Sequence, residues 1–194
     1  MGYAARYLNA VGQTCTILRN PVDASKVSMK RSTSAIRDFG AREAHWEGLI
    51  LASAELVSGN VFEVDGIKYL VQSVVFDPAS GETAWYAVKT NALLIHQRHT
   101  KTADADYNLV GEWETIHAEV PAYGEMVTAE LRQMDPGLLE TTRYYFQVPN
   151  YEGGDRVAMM DRIIFDGNNY KVDAMNDVGM PGVFRVQLSQ DVRD

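Results

Sequence analysis

Four histidines (His45, His96, His99 and His117) and one cysteine, Cys15, are the residues of this chain whose types suit metal binding or nucleophilic chemistry. His96 and His99 are three positions apart, a spacing that brings two ligands together on a helix. They follow an expected strand, however, and no third ligand lies nearby in sequence, so no metal site is expected. Cys15 lies among alternating neighbours in another expected strand and reads as a small buried residue rather than a nucleophile. A single cysteine also excludes an internal disulfide framework and a multi-cysteine zinc site. No Gly-x-Ser-x-Gly elbow, phosphate-binding Gly-Lys-Ser/Thr loop or His-Glu-x-x-His helix occurs. Carboxylates are abundant, but no pair stands out as an acid/base couple, and Asp161 and Arg162 are expected on the exposed side of a strand. The sequence therefore points to no catalytic residue and no cofactor.

What the chain does repeat is a hairpin. FEVDGIKYLV (Phe62–Val71) and IFDGNNYKV (Ile164–Val172) each carry Asp-Gly followed three residues later by Tyr. Asp-Gly favours a two-residue turn because both central positions need positive φ. Around Asp65-Gly66 the pairs are Val64 with Ile67, Glu63 with Lys68 and Phe62 with Tyr69, each chemically matched. Phe62, Val64, Ile67, Tyr69 and Val71 are then expected to share the core face. Around Asp166-Gly167, Ile163 faces Tyr170, and the two asparagines after the glycine suggest a longer turn. The tyrosines are separated by the same distance as the turns.

The flanks echo one another as well. Trp85–Lys89 and Phe184–Leu188 are strand-like runs after each hairpin. Thr14–Arg19 and Val127–Arg132 read as matching first strands, and Gly48–Ser53 and Arg143–Val148 as matching second strands. The expected fold is mainly β: two tandem small antiparallel β-barrel or sandwich domains, residues 1–100 and 105–194, joined by the polar segment His99–Tyr107. Tyr3, Tyr7, Leu8 and Val11 have helical spacing, with Gly12 as a stop, and predict a short N-terminal amphipathic helix.

With this alignment the first domain is the longer between first strand and hairpin, which predicts a long loop over residues 20–48. It carries Lys26, Lys30, Arg31, Arg37 and Arg42, the most basic stretch of the chain. A long connection in a compact domain is uncommon. It reads either as an arm reaching a neighbouring subunit or DNA, or as a solvated loop with a short helix around Ser34–Ala44.

The formal net charge of −8 argues against a broad nucleic-acid-gripping face but allows DNA to pass without sticking. With 46% hydrophobic residues a proper core is available, yet no apolar run approaches the length of a membrane span. The first residues lack the pattern of a signal peptide, so a cytosolic birthplace is expected.

GNVFEVDGIKYLVQSV followed by AWYAVKTN, and GDRVAMMDRIIFDGNNYKVDAMN followed by VFRVQL, resemble the hairpin signature of tailed-bacteriophage head-closure (stopper) and related head–tail joining proteins. MKRSTSAIRDFGAREAHWEGLIL is similar to the early part of phage neck proteins. The resemblance implies a homo-oligomeric ring, usually a hexamer, in the virion neck. It would sit against portal, adaptor and tail proteins, retain the genome in the capsid and let DNA pass its channel without sequence-specific binding. Stopper proteins carry a long loop between early strands, and Asn20–Gly48 is at the matching position. The chain departs from the simplest stoppers in having two barrels, which leaves open a tail terminator or a tube–baseplate adaptor. Two other classes stay open: a single-stranded nucleic-acid-binding barrel protein, from the Arg, Lys and aromatic residues near barrel strands, and a glycan hydrolase with an unrecognised carboxylate pair.

Overall fold

A computed structural model of the chain describes residues 3–19, 21–32, 43–78, 81–103, 107–151 and 155–193. The fold is two closed six-stranded antiparallel barrels in tandem, preceded by a short helix. One compact unit is Met1–Asn91 with Asp177–Val183; the other is Ala92–Asn176 with Phe184–Asp194.

The first unit opens with helix α1 (Tyr3–Val11), followed by β1 (Gln13–Ile17), β2 (Asp23–Val27), β3 (Lys30–Arg31), β4 (His45–Leu51), β5 (Val61–Val64), β6 (Ile67–Asp77) and β7 (Glu82–Lys89). The strand order is β2-β1-β5-β6-β7-β4-β3, and a single rung from Val27 to Ile50 closes β2 onto β4. The second unit contains β8 (Ala92–Ala103), β9 (Leu109–Met126), helix α2 (Ala129–Met134), β10 (Tyr144–Pro149), β11 (Arg162–Phe165), β12 (Asn168–Asn176) and β13 (Val183–Gln190). Its barrel runs β9-β8-β11-β12-β13-β10 and closes β10 onto β9. Strand for strand, the two circuits are the same.

Both hairpins turn in two residues. Asp65, Gly66, Asp166 and Gly167 all have positive φ, between 50° and 78°. The pairs Val64–Ile67, Glu63–Lys68 and Phe62–Tyr69 form as expected. The second turn is no longer than the first, because Phe165 pairs directly with Asn168. Phe62 and Tyr69 stack with centroids 5.3 Å apart, and Trp85 meets Phe62 edge-on at 5.1 Å. Ile67, at the hairpin end, is half-exposed rather than core. In the second barrel Tyr144 meets Tyr170 at 5.2 Å and Phe165 at 5.5 Å, both edge-on.

Two residues past each hairpin tyrosine the ladder slips by one residue. The slip lies between Val71 and Ser73 in β6 and between Val172 and Ala174 in β12. Such bulges bend a strand and increase its twist, which a small closed barrel requires. Each bulge is clasped by the loop before the hairpin. Gly59 N donates to Val71 O (2.8 Å) and Val71 N to Asn60 O (2.9 Å). In the second copy Met160 N donates to Val172 O and Val172 N to Asp161 O, both at 3.0 Å. Gly59 and Met160 both hold positive φ, 87° and 71°.

Several expected elements lie elsewhere. Val127–Arg132 is not a strand: Thr128 caps α2 by accepting a hydrogen bond from Leu131 N at 3.2 Å. Its apolar–polar alternation mimics a strand, but Ala-Glu-Leu-Arg-Gln-Met are strong helix formers behind a Thr cap. The partner of β1 in the repeat is β8, so the second copy is the longer one. His99–Tyr107 is not a linker, because its first five residues continue β8 against β9. Within the expected loop over 20–48, residues 23–27 and 30–31 are strands and Val27 is fully buried. The helix expected around Ser34–Ala44 falls almost entirely on residues 33–42, outside the described residues. In α1, Leu8 faces the core while Tyr7 and Val11 face solvent. The helix packs on β2 and β4 and ends where a Cβ on Gly12 would strike the Leu8 carbonyl.

Tyr69→Ala removes the buried stacking partner of Phe62, and Tyr170→Ala removes the buried edge-on partner of Tyr144. Each is expected to cost about 3 kcal/mol in urea unfolding; a loss below about 1 kcal/mol would show that the pair is peripheral. The clasps give a sharper contrast. A Cβ on Gly59 would run into the Gly182 carbonyl. Gly59→Ala should therefore lose about 2 kcal/mol, whereas Met160→Ala should stay within about 0.5 kcal/mol of the parent.

Candidate functional site at the end of the second barrel

The first barrel serves as a control for the second. Where the copies keep the same backbone contact but change the side chain, the change is not explained by the fold alone. Asn60 and Asp161 occupy equivalent turns: Asn60 Oδ1 accepts from Val57 N at 3.1 Å, and Asp161 Oδ2 accepts from Ala158 N at 2.8 Å. Arg19 and Arg98 are equivalent too. Arg19 donates to Glu55 O at 3.0 Å and Arg98 to the matching Arg156 O at 2.6 Å. Ile17 pairs with Phe62 in the first barrel; His96 pairs with the matching Ile163 in the second.

So an apolar Ile17 and a neutral Asn60 become His96 and Asp161, both buried. His96 Nε2 lies 2.7 Å from Asp161 Oδ2, and Arg98 donates through Nε (3.0 Å) and Nη2 (2.8 Å) to the same carboxylate. Burial by itself would raise the Asp161 carboxyl. The hydrogen bonds from His96, Arg98 and the Ala158 amide outweigh it and hold the group below the usual carboxylate range. In return, the Asp161 hydrogen bond raises the Arg98 guanidinium. An ionised Asp161 is acceptor-only, so His96 Nε2 carries the proton. Its buried Nδ1 has no hydrogen-bond partner among the described residues. The His117 ring stacks 5.8 Å from His96 and 3.9 Å from Tyr151, whose hydroxyl is raised by burial.

On the other side of β11 a second substitution repeats the theme. Val61 and Thr90 become Arg162 and Asp191, linked at 2.9 Å. Arg193 forks onto Asp191 through Nε (2.7 Å) and Nη2 (2.9 Å). Burial pushes the Asp191 carboxyl up, but Arg193 and Arg162 hold it well below the usual range. The Arg162 guanidinium lies 3.7 Å from the Trp113 ring centre and that of Arg193 5.0 Å. His99 meets Trp113 edge-on at 5.1 Å. Trp113 is thus already stacked by cations and does not offer an open platform for a base. Between the two clusters lies an open cavity of about 510 Å³, lined among others by Arg98, Lys101, Trp113, Met160, Asp161 and Arg193.

The expected positions of Asp161 and Arg162 on an exposed face are therefore corrected: both are buried, 3% and 6% exposed. The internal ion pairs supply the compensation that lets charged residues occupy such positions. Both carboxylates are depressed, the opposite of what a general acid needs. His96 and His99 do not converge, since one is inside the barrel and the other lies against Trp113. No group of three metal-ligating side chains occurs among the described residues. Cys15 is buried, and desolvation raises its thiol to about 11.

Three of the basic residues singled out from sequence, Lys26, Lys30 and Arg31, bind neighbours within the first unit. Lys26, on β2, donates to Asn9 O near the end of α1 (3.0 Å). Lys30 pairs with Glu47 at 3.1 Å and Arg31 with Glu43 at 3.6 Å. A hydrogen bond from Ser32, then Lys30, lowers the Glu47 carboxyl. Arg37 and Arg42 lie outside the described residues. The second-barrel cluster was discoverable by aligning Ile17 with His96 and Asn60 with Asp161, but only with the correct first strand.

No family model and no curated protein matches the chain. Among solved structures, it is similar to the solution structure of protein SF1141 from Shigella flexneri 2a. That match has 13% identity and a TM-score of 0.43, covering 54% of this chain and 96% of the other. A likeness this slight carries no argument. Among the described residues, no helix is long and apolar enough to cross a membrane.

A depressed carboxyl stabilises the fold above its unfolded pKa, near 4 for Asp, and that stability is lost as pH falls through the folded value. Asp161, facing His96 and Arg98, and Asp191, facing Arg162 and Arg193, are both of this kind. Asp161→Asn should cost about 3 kcal/mol at pH 7 and flatten the acid side of the stability profile. A variant losing stability on acidification as steeply as the parent would show that Asp161 does not anchor the barrel end.

Proposed function

We propose that the chain is a structural subunit of a tailed-bacteriophage neck, forming a ring, most simply a hexamer, that joins the DNA-filled head to the tail and helps retain the genome. Tail terminator and tube–baseplate adaptor are the neighbouring assignments. The observation that carries the reading is a two-stranded ribbon. In the first barrel β1 and β2 have five residues each; their counterparts β8 and β9 have 12 and 18. β11 pairs with β8 only at Ile95–Gln97, and β10 with β9 only at Tyr123–Met126. Past those rungs β8 and β9 continue with no third strand beside them among the described residues. Tyr107 and Leu109, 90% and 73% exposed, lie at its tip. An exposed ribbon is a liability in a lone molecule and an asset in an assembly, where a neighbour covers it. The polar chemistry of the second barrel fits the same role, because its buried ion pairs lock a barrel end.

In the earlier candidate for such an arm, residues 20–48, the described residues include strands at 23–27, 30–31 and 45–48, and 33–42 lies outside the described residues. A deletion that takes Val27 from that segment would remove core and would not test an arm cleanly. The ribbon allows a clean test. Replacing Lys101–Gly111 by Asn-Gly joins Thr100 to its partner Glu112. The shortened chain should fold with unchanged circular dichroism, yet fail to complement, leaving particles without tails or without DNA. Filled, tailed particles at normal yield, or absence of the parent chain from purified particles, would reject the assignment.

A further inference from the structure

The ribbon has two chemically distinct faces, a consequence of strand alternation. Arg98 pairs with Glu114, Thr100 with Glu112 and Thr102 with Val110, so these residues share one face. The Arg98 guanidinium on that face is bound to Asp161 and also feels the charge of Glu114, its cross-strand partner, while Glu112 forms no ion pair among the described residues. His99 pairs with Trp113 and Lys101 with Gly111 on the other face. Gly111 leaves room there for the His99 ring, which a Cβ would strike. Beside Trp113 stand Arg162 and Arg193, sharing the single carboxylate of Asp191, while Lys101 forms no ion pair among the described residues. One face is therefore acidic, and the other basic and aromatic with a cavity at its margin. This separation lies within a chain whose net charge of −8 would otherwise make copies repel.

We propose that the Glu112/Glu114 face of one copy docks on the Lys101/Arg193 face of the next, placing carboxylates against the cavity beside Trp113. The proposal rests on reading the chain as a ring subunit, and it specifies which surface makes the ring. Two different patches meet, so the contact is heterologous: it runs head to tail and closes by rotation. Repetition around the ring compensates for pairs that are individually weak when exposed. Because the charges lie at the rim of solvent, association strengthens as salt is lowered.

The test uses the full chain in analytical ultracentrifugation across concentration and salt. Lys101→Glu places an acid on the basic face; Glu112→Lys places a base on the acidic one. Both positions are exposed, so thermal melts should match the parent. Each variant alone should self-associate about tenfold or more weakly than the parent. An equal mixture of the two should recover parental assembly, since each altered face then meets its complement. Parental rings that survive both reversals would overturn this contact and leave the ring reading intact. So would a mixture that fails to recover. A parent chain that stays monomeric at every concentration in low salt would overturn the contact and the ring reading together.

Discussion

Each barrel depends on the backbone clasp between the pre-hairpin loop and the bulge after the hairpin tyrosine. A long strand must bend sharply for six strands to close, and the extra residue after Val71 and after Val172 provides the bend. Two reciprocal backbone bonds hold it, from residues 59 and 60 in one copy and 160 and 161 in the other. The clasp demands a left-handed residue at its first position. Gly59 meets that demand where the Gly182 backbone crowds it. Met160 meets it where its carbonyl is bound by Arg193 Nη1 at 3.0 Å. Its second position points a side chain back at the chain three residues earlier, which suits Asn or Asp equally.

That equivalence lets Asp161 stand where the first barrel has Asn60. Its carboxylate meets Arg98, which also binds the 156 carbonyl. His96 completes the arrangement from inside the barrel. On the opposite face Arg162 and Asp191 stand where the first barrel has Val61 and Thr90, with Arg193 beside them over Trp113. The result is a barrel end fixed by charge where its twin is fixed by packing. Charged groups buried this way gain little net stability over apolar ones, but they specify one geometry. In the proposed ring, a ribbon that meets a neighbouring subunit would gain from such a rigid root.

Charge on this molecule is sorted rather than merely negative. In the first unit Lys26, Lys30 and Arg31 are engaged within their own unit. The basic face of the ribbon is not balanced in that way. The ribbon thus carries an exposed basic face and an exposed acidic face on a chain that is acidic as a whole.

Local chemistry in the sequence determined the hairpins. Asp-Gly sets φ, Phe62 and Tyr69 set register, and the matched spacing of the two copies declared a tandem β architecture. Those features are short-range, so they could be read without knowing what lies across the barrel. Thr128 and the helix formers behind it are equally local, but the alternation of Val127–Arg132 mimics a strand, whereas the first strand of the second copy is β8, which starts at Ala92. Tertiary structure alone decided the rest. Ile17 and His96 are equivalent only because each pairs with the same position of its barrel. The burial of Asp161 and Arg162 follows from elements far away in sequence, Arg98 on β8 and Asp191 past β13, closing over them. Alternation along one strand says which side a residue faces; only the closed barrel says what stands there to meet it.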